Sequence, residues 1–255
     1  MANFTPTFKS FWPLSDFIDE LNDAQRAPVL HKDGPLMVIA GAGSGKTRVL
    51  TYRIAHLMEQ GVDSFNILAL TFTNKAASEM KERVGALVGP VAENMWVSTF
   101  HSACVKILRR EGAALGYPSS FTIYDQADAI RLTTYVMRDL NMDTKQYPPR
   151  GVHSAISKAQ NELISPKAFE QHAETYADEQ VAQIYHEYQN RLLKSAAMDF
   201  DDLLYKTVEM FRKSPETLER YQNRFQHILV DEYQDTNPVQ NELVIQLSSK
   251  NRNVC

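Results

Sequence analysis

The sequence predicts an α/β domain with a parallel sheet, interrupted by a mostly α-helical inserted subdomain. Three observations carry this prediction. Short apolar runs alternate with segments of helical period early in the chain. A long middle stretch is helical in pattern throughout, and the alternation resumes near the end.

In chain order, LMVIA (36–40) is expected as a strand running into glycines. The helix after it carries Leu50, Ile54, Leu57 and Met58 on one face and stops at Gly61. NILALTF (66–72) is the second strand, and its helix places Ala77, Met80, Val84 and Leu87 on one stripe. MWVSTF (95–100) is the third, leading into HSACVKILRREGAAL. From Cys104 to Ala197 the pattern is helical, FTIY (121–124) being the strand candidate there. Asp125 can cap a helix carrying Ile130, Thr133, Val136, Met137 and Leu140. YPPR (147–150) breaks the chain direction, and Val181, Ile184, Tyr185, Tyr188 and Leu192 mark another amphipathic helix. DFDDLLYKTVEMF (199–211) is expected as a helix with Phe200, Leu203, Leu204, Val208 and Phe211 inward. HILVD (227–231) is again a strand, Pro238 opens a helix, and NVC (253–255) begins a further strand. The expected division is an N-terminal extension over 1–20, an α/β subdomain over 21–103 and 198–255, and a helical insertion over 104–197.

At 255 residues, 44% hydrophobic and 23% charged, the chain is long enough for a substantial core. A net charge of −4 gives no global sign of nucleic-acid binding, so any such surface must be local. Cys104 and Cys255 lie far apart without metal-ligand spacing, which argues against a disulfide framework or a zinc site. No run approaches the ~18 apolar residues of a membrane helix, and the N-terminus lacks signal-peptide character. The expectation is a soluble, cytoplasmic protein.

AGAGSGKT (40–47) places Gly41, Gly43 and Gly45 within five residues at a strand–loop–helix junction. Glycines let the backbone close around a phosphate, and the helix start adds its positive dipole end. Ala40, Gly41, Ala42, Gly43, Ser44, Gly45, Lys46 and Thr47 therefore read as a nucleotide-binding loop. Lys46 reaches the β/γ-phosphates and the Thr47 hydroxyl takes Mg²⁺. Ala40 stands where the strict pattern has glycine, a small departure in side-chain volume. The other half of such a metal site is an acid at the tip of a neighbouring strand. Asp231 is placed as that ligand, and Glu232 as the group accepting a proton from the attacking water. Asp235, Thr236 and Asn237 are also explained as a cap for the Pro238 helix. Asp199, Asp201 and Asp202 invite a second metal site, but capping and solvation account for them. His153, His172 and His186 show no ligand spacing.

LNDAQ (21–25), AGAGSGKT, LALTFTNKAASEMKERV (68–84), VSTFHS (97–102), MDFDDLL (198–204) and VDEYQDTN (230–237) together resemble, in that order, the UvrD/Rep/PcrA-type superfamily 1 DNA helicases. The resemblance runs from about residue 21 to the end. It implies a RecA-like P-loop ATPase domain, called 1A in the family, holding a helical insertion, 1B. It further implies 3′–5′ translocation on single-stranded DNA driven by Mg²⁺ and ATP. On the same basis Gln25 reads adenine, Arg48 packs near the base, and Gln234 links hydrolysis to DNA.

For DNA, Phe72 at a strand end is placed to stack on a base, worth roughly 1–3 kcal/mol without sequence preference. Thr73, Asn74 and Lys75 suit phosphates at a helix N-terminus. Thr99, Phe100, His101 and Ser102 occupy the equivalent end of the next strand. For Phe72 and Phe100 the residues alone leave base stacking and core packing both open. Lys106, Arg109 and Arg110 form a basic cluster that a solvated helix face explains equally well.

A helicase of this family continues with a GD-x-x-QS-type motif and a second RecA-like domain that supplies arginines across the cleft. The expectation is an N-terminal portion of a helicase acting in DNA repair or replication on single strands and single-/double-strand junctions. Alone, it would bind nucleotide weakly and not unwind DNA. The alternatives are a nucleotide-gated single-stranded-DNA-binding module and the motor subunit of a recombination helicase–nuclease. The sequence encoded downstream separates the three.

Overall fold

In chain order, the elements are α1 (Ser15–Asp19), α2 (Asp23–Leu30), α3 (Lys46–Glu59), β1 (Ile67–Thr71), α4 (Asn74–Val88), β2 (Trp96–Thr99) and α5 (Phe100–Glu111). They continue with β3 (Thr122–Ile123), α6 (Gln126–Asp139), α7 (Pro149–Asn161), α8 (Pro166–Gln171), α9 (Tyr176–Lys194), β4 (Ala197–Met198), α10 (Phe200–Lys213), α11 (Pro215–Arg224), β5 (His227–Val230) and α12 (Pro238–Ser248). The computed structural model describes residues 15–41 and 43–255. Most of the expected 1–20 extension, and Ala42 of the phosphate loop, lie outside the described residues.

Two compact units divide the chain: 1–99 with 221–233 and 248–255, and 100–220 with 234–247. The first is built on a parallel sheet of order β2-β1-β5. Every residue of β1 is buried, as a central parallel strand requires. Alternation along β1 sends Ile67 and Ala69 to one face, where they pack with Leu50, Ile54 and Leu57 of α3, Met80 and Val84 of α4, and Leu229 of β5. Trp96, in register with Leu68, meets Phe225 edge-on at 5.1 Å.

The second unit is mostly helical. Its core joins Ala129, Val136 and Met137 of α6, Val152 and Ile156 of α7, and Ile184, Tyr185, Tyr188 and Leu192 of α9. The two-residue strands β3 and β4 pair in parallel at its edge. The expected insertion, 104–197, falls inside this unit, which also takes in α5, α10, the first part of α11 and nearly all of α12.

Two expectations are corrected. LMVIA (36–40) has the alternating exposure of a strand but is not one: Met37 is 73% and Ile39 89% exposed. One backbone bond, Leu36 N–H to the Val254 carbonyl at 2.8 Å, ties the run to a neighbour, and a ladder needs several. Asn253–Cys255 does begin a parallel pairing with β5, through Ile228 N–H to Asn253 and Cys255 N–H to Ile228, both 2.9 Å. It therefore lies between β5 and the 36–40 run and brings the glycine-rich loop that follows the run to the β5 side of the sheet.

The second correction concerns α10. Leu203, Leu204, Val208 and Phe211 are buried as expected, but Phe200 is 51% exposed. Phe200 is the first helical residue, one turn ahead of the packed stripe. Asp199 and Asp202 are buried, so solvation does not explain them. Asp199 caps α10 by accepting from Asp202 N–H at 2.8 Å.

Candidate nucleotide site and nucleic-acid interface

The glycine-rich loop before α3 is shaped by its own short-range bonds. Gly43 (φ +77°) and Gly45 (φ +91°) sit in the left-handed region that side chains resist. Ser44 folds back, its hydroxyl donating to the Gly41 carbonyl at 2.6 Å. Gly45 then opens α3 without a side-chain cap, leaving the first-turn N–H groups of Lys46 and Thr47 to a ligand. Gln25 closes the loop from α2. Its Nε2 donates to the Ser44 carbonyl at 3.0 Å, and its Oε1 and N–H complete a capping box with Asn22. A Cβ on Gly45 would stand 2.7 Å from Gln25 Nε2, so that glycine is what lets the amide approach.

Asp231 emerges from β5, and its N–H bonds the Leu70 carbonyl of β1 at 2.9 Å. Asp231 is 9% exposed. Burial raises its carboxyl pKa and the Glu232 charge adds to this, while Lys46 and Arg83 pull the other way. Glu232 follows in a left-handed conformation (φ +53°), a turn unfavourable for a residue with a side chain. That turn delivers its Oε2 to 3.0 Å from Lys46 Nζ. The lysine of one motif and the acid of another, far apart in sequence, thus meet at one point. Asp231 and the Thr47 hydroxyl supply hard oxygen donors of the kind Mg²⁺ takes alongside phosphate oxygens and water, so these residues fit that ion.

Arg48 extends from the same helix and donates to Glu20 Oε2 at 2.7 Å and to the Tyr52 hydroxyl at 3.2 Å. Tyr52 also donates to Glu20 at 2.7 Å. Glu20 and Tyr52 had no signal in the sequence, since a side-chain triangle spanning α3 and the segment before α2 has no local pattern.

In the sheet unit, Phe72 is half-buried at the end of β1, and Thr73, Asn74 and Lys75 are exposed. Thr73 caps α4 by accepting from Ala76 N–H at 3.1 Å, which leaves Asn74 and Lys75 in the open first turn. Thr99, in register with Thr71, is buried.

In the helical unit, Phe100 is 1% exposed. Its ring fills the core at the start of α5 and is not offered to a base, so the core alternative holds for Phe100. His101 and Ser102 are half-buried on the same turn. His101 meets the exposed ring of Phe200 at 5.8 Å in a T-shaped contact. Burial lowers the His101 pKa, opposed by the Asp201 charge, which favours the neutral imidazole near neutral pH. Phe200 is the aromatic that periodicity hid, because its spacing to Leu203 and Leu204 is that of a core residue. Gln234 is exposed. Arg109 lies over the Phe121 ring at 4.1 Å and donates to the Ser119 carbonyl at 2.7 Å, which gives it a packing role.

Among the described residues no helix is long and apolar enough to cross a membrane. Residues 21–255 match the model of the UvrD/REP helicase N-terminal domain. The chain is 49% identical over 242 residues to the ATP-dependent DNA helicase PcrA of Bacillus subtilis (strain 168), covering 94% of this chain and 33% of that protein. It is 49% identical over 243 residues to the protein of that name from Staphylococcus aureus (strain Mu50 / ATCC 700699), with 95% and 33% covered. The chain thus spans about a third of the length of the curated relatives it matches.

Proposed function

The chain belongs to the UvrD/REP helicase family through its N-terminal domain, and from that premise we propose that it is the nucleotide- and single-stranded-DNA-binding portion of an ATP-dependent 3′–5′ DNA helicase. The observation that carries this reading is the 3.0 Å meeting of Lys46 and Glu232 beside an uncapped helix N-terminus. Residues 21–103 and 198–255 are read as the RecA-like subdomain and 104–197 as its inserted helical subdomain. A parallel sheet in one unit and a helical make-up in the other support two such parts, with 198–220 and 234–247 grouping with the helical unit.

ATP places its phosphates on the N–H groups of Gly43 to Thr47, and Lys46 exchanges Glu232 for the β/γ-phosphate oxygens. That exchange frees the Glu232 carboxylate to orient water and accept its proton. Thr47 and Asp231 would hold Mg²⁺, which when bound neutralises phosphate charge. Gln25 turns its amide from the Ser44 carbonyl to the adenine edge, and Arg48 packs beside the base. Gln234 carries the state of the hydrolysis site towards DNA. In the sheet unit Phe72 offers its ring to a base, with Thr73, Asn74, Lys75 and Thr99 beside it; in the helical unit Phe200 offers its exposed ring, with His101 and Ser102 beside it. Unwinding of single-/double-strand junctions, a role in DNA repair or replication, and a cytoplasmic site of action belong to the whole protein. A second RecA-like domain of the whole protein is the partner that completes the site.

Mg²⁺-ATP binding measured by calorimetry on wild type and Lys46→Ala tests the reading. Loss of one charge-assisted contact of about 1.5–3 kcal/mol weakens binding about ten- to a hundredfold. Equal affinities would overturn the phosphate-loop assignment.

A further inference from the structure

Within the helical unit, three helices meet through one amide. Asn237 Nδ2 donates to Asn161 Oδ1 at 2.6 Å, while Asn161 Nδ2 donates to Asp201 Oδ1 at 3.0 Å and to the Ser157 carbonyl at 2.9 Å. Both ends of the Asn161 amide are thereby fixed, donor towards the acid and acceptor towards Asn237. Asn237 is the cap of α12: its Oδ1 accepts from Gln240 N–H at 2.9 Å, and its N–H donates to Gln240 Oε1 at 3.1 Å. It stands a few residues downstream of Glu232, on the segment whose first residue, Gln234, follows the hydrolysis motif. Asp201 immediately follows the exposed Phe200, and its charge acts on His101, against which Phe200 packs.

We propose that Asn161 is a positioning residue that couples the segment after Glu232 to the exposed ring of Phe200. Nucleotide and single-stranded DNA then influence each other through this amide. The proposal rests on the reading of the chain as a nucleotide- and DNA-binding helicase portion. A displacement of Asn237 when Glu232 changes partner pulls on Asn161 Oδ1. The opposite end of the same planar amide carries that to Asp201 and the first turn of α10. A purely structural role, sewing α7, α10 and α12 together, is the competing explanation.

The test is a double-mutant cycle on the full 255-residue chain with Asn161→Ala and Asn237→Ser. Serine caps a helix about as well as asparagine, so the second variant keeps α12 and removes only the reach to Asn161. The readout is the ratio of affinities for a single-stranded oligothymidine with and without a non-hydrolysable ATP analogue and Mg²⁺, alongside thermal unfolding. Each single variant is expected to reduce that ratio about fivefold, or to near one, and the double variant no further. An unchanged ratio in Asn237→Ser, or losses that add in the double variant, overturns the coupling role. If Asn161→Ala does not fold, Asn237→Ser alone decides the question. A wild-type chain whose DNA affinity ignores nucleotide overturns the underlying reading and this proposal with it. Intact wild-type coupling that survives both substitutions overturns the proposal alone.

Discussion

Asp202 gives the helical unit a stability that depends on pH in a direction opposite to an ordinary salt-bridged carboxylate. The residue is fully buried, and its Oδ1 accepts from Gln160 Nε2 at 2.7 Å and Gln189 Nε2 at 2.9 Å. Its Oδ2 meets no donor among the described residues. Burial first, and the neighbouring Asp199 charge second, push the carboxyl from 3.8 up to about 8. The unfolded chain releases this proton near pH ~4, so between there and pH ~8 only the folded chain holds it. The group's stability contribution is full below the unfolded pKa and is lost as pH rises through the folded one. At about 1.36 kcal/mol per pH unit, the loss between about pH 5 and pH 8 is about 4 kcal/mol. Asp202→Asn keeps the Oδ1 acceptor and has no charge to bury. Urea unfolding of both proteins near pH 5 and near pH 8 measures the difference. The variant is expected to gain on wild type as pH rises, by several kcal/mol at the upper end. A residual slope from Asp199, also raised by burial, is expected in both proteins. Parallel pH profiles, or a variant that loses ground at high pH, would refute the reasoning.

Phe72→Ala and Phe200→Ala are each expected to weaken single-stranded-DNA binding by about 1–3 kcal/mol in a fluorescence anisotropy titration, with little change in unfolding. Phe100→Ala should do the reverse. Loss of a fully buried ring destabilises by about 3–5 kcal/mol, and a variant as stable as wild type would contradict its core placement. Gly45→Ala and Gly43→Ala both force a side chain into the left-handed region, costing about 1–2 kcal/mol. Only the first also pushes the Gln25 amide from Ser44, so nucleotide affinity should fall further in Gly45→Ala; equal affinities would remove the role given to that contact.

The elements legible in the sequence were those whose cause is local. The β1 and β2 strands, α3 and α4 are set by runs and stripes of apolar residues, and the phosphate loop by closely spaced glycines before Lys46 and Thr47. Asp231 and Glu232 were legible for the same reason, since an acid at the tip of an apolar run is a local pattern. The 36–40 run is not a strand, because composition fixes the alternation of one but not whether a partner's backbone lies alongside it.

The sequence by itself therefore determined the residue types of the candidate nucleotide site and the order in which they occur. Only the tertiary structure decided that Phe100 is core while Phe200 is exposed, and that Asp199 and Asp202 are buried. It also decided that Lys46 touches Glu232 and that Asn161 joins Asn237 to Asp201. The physical reason is common to all four. Periodicity states which face of a helix is apolar, whereas where packing begins, and which distant side chains meet, depends on segments far away in the chain.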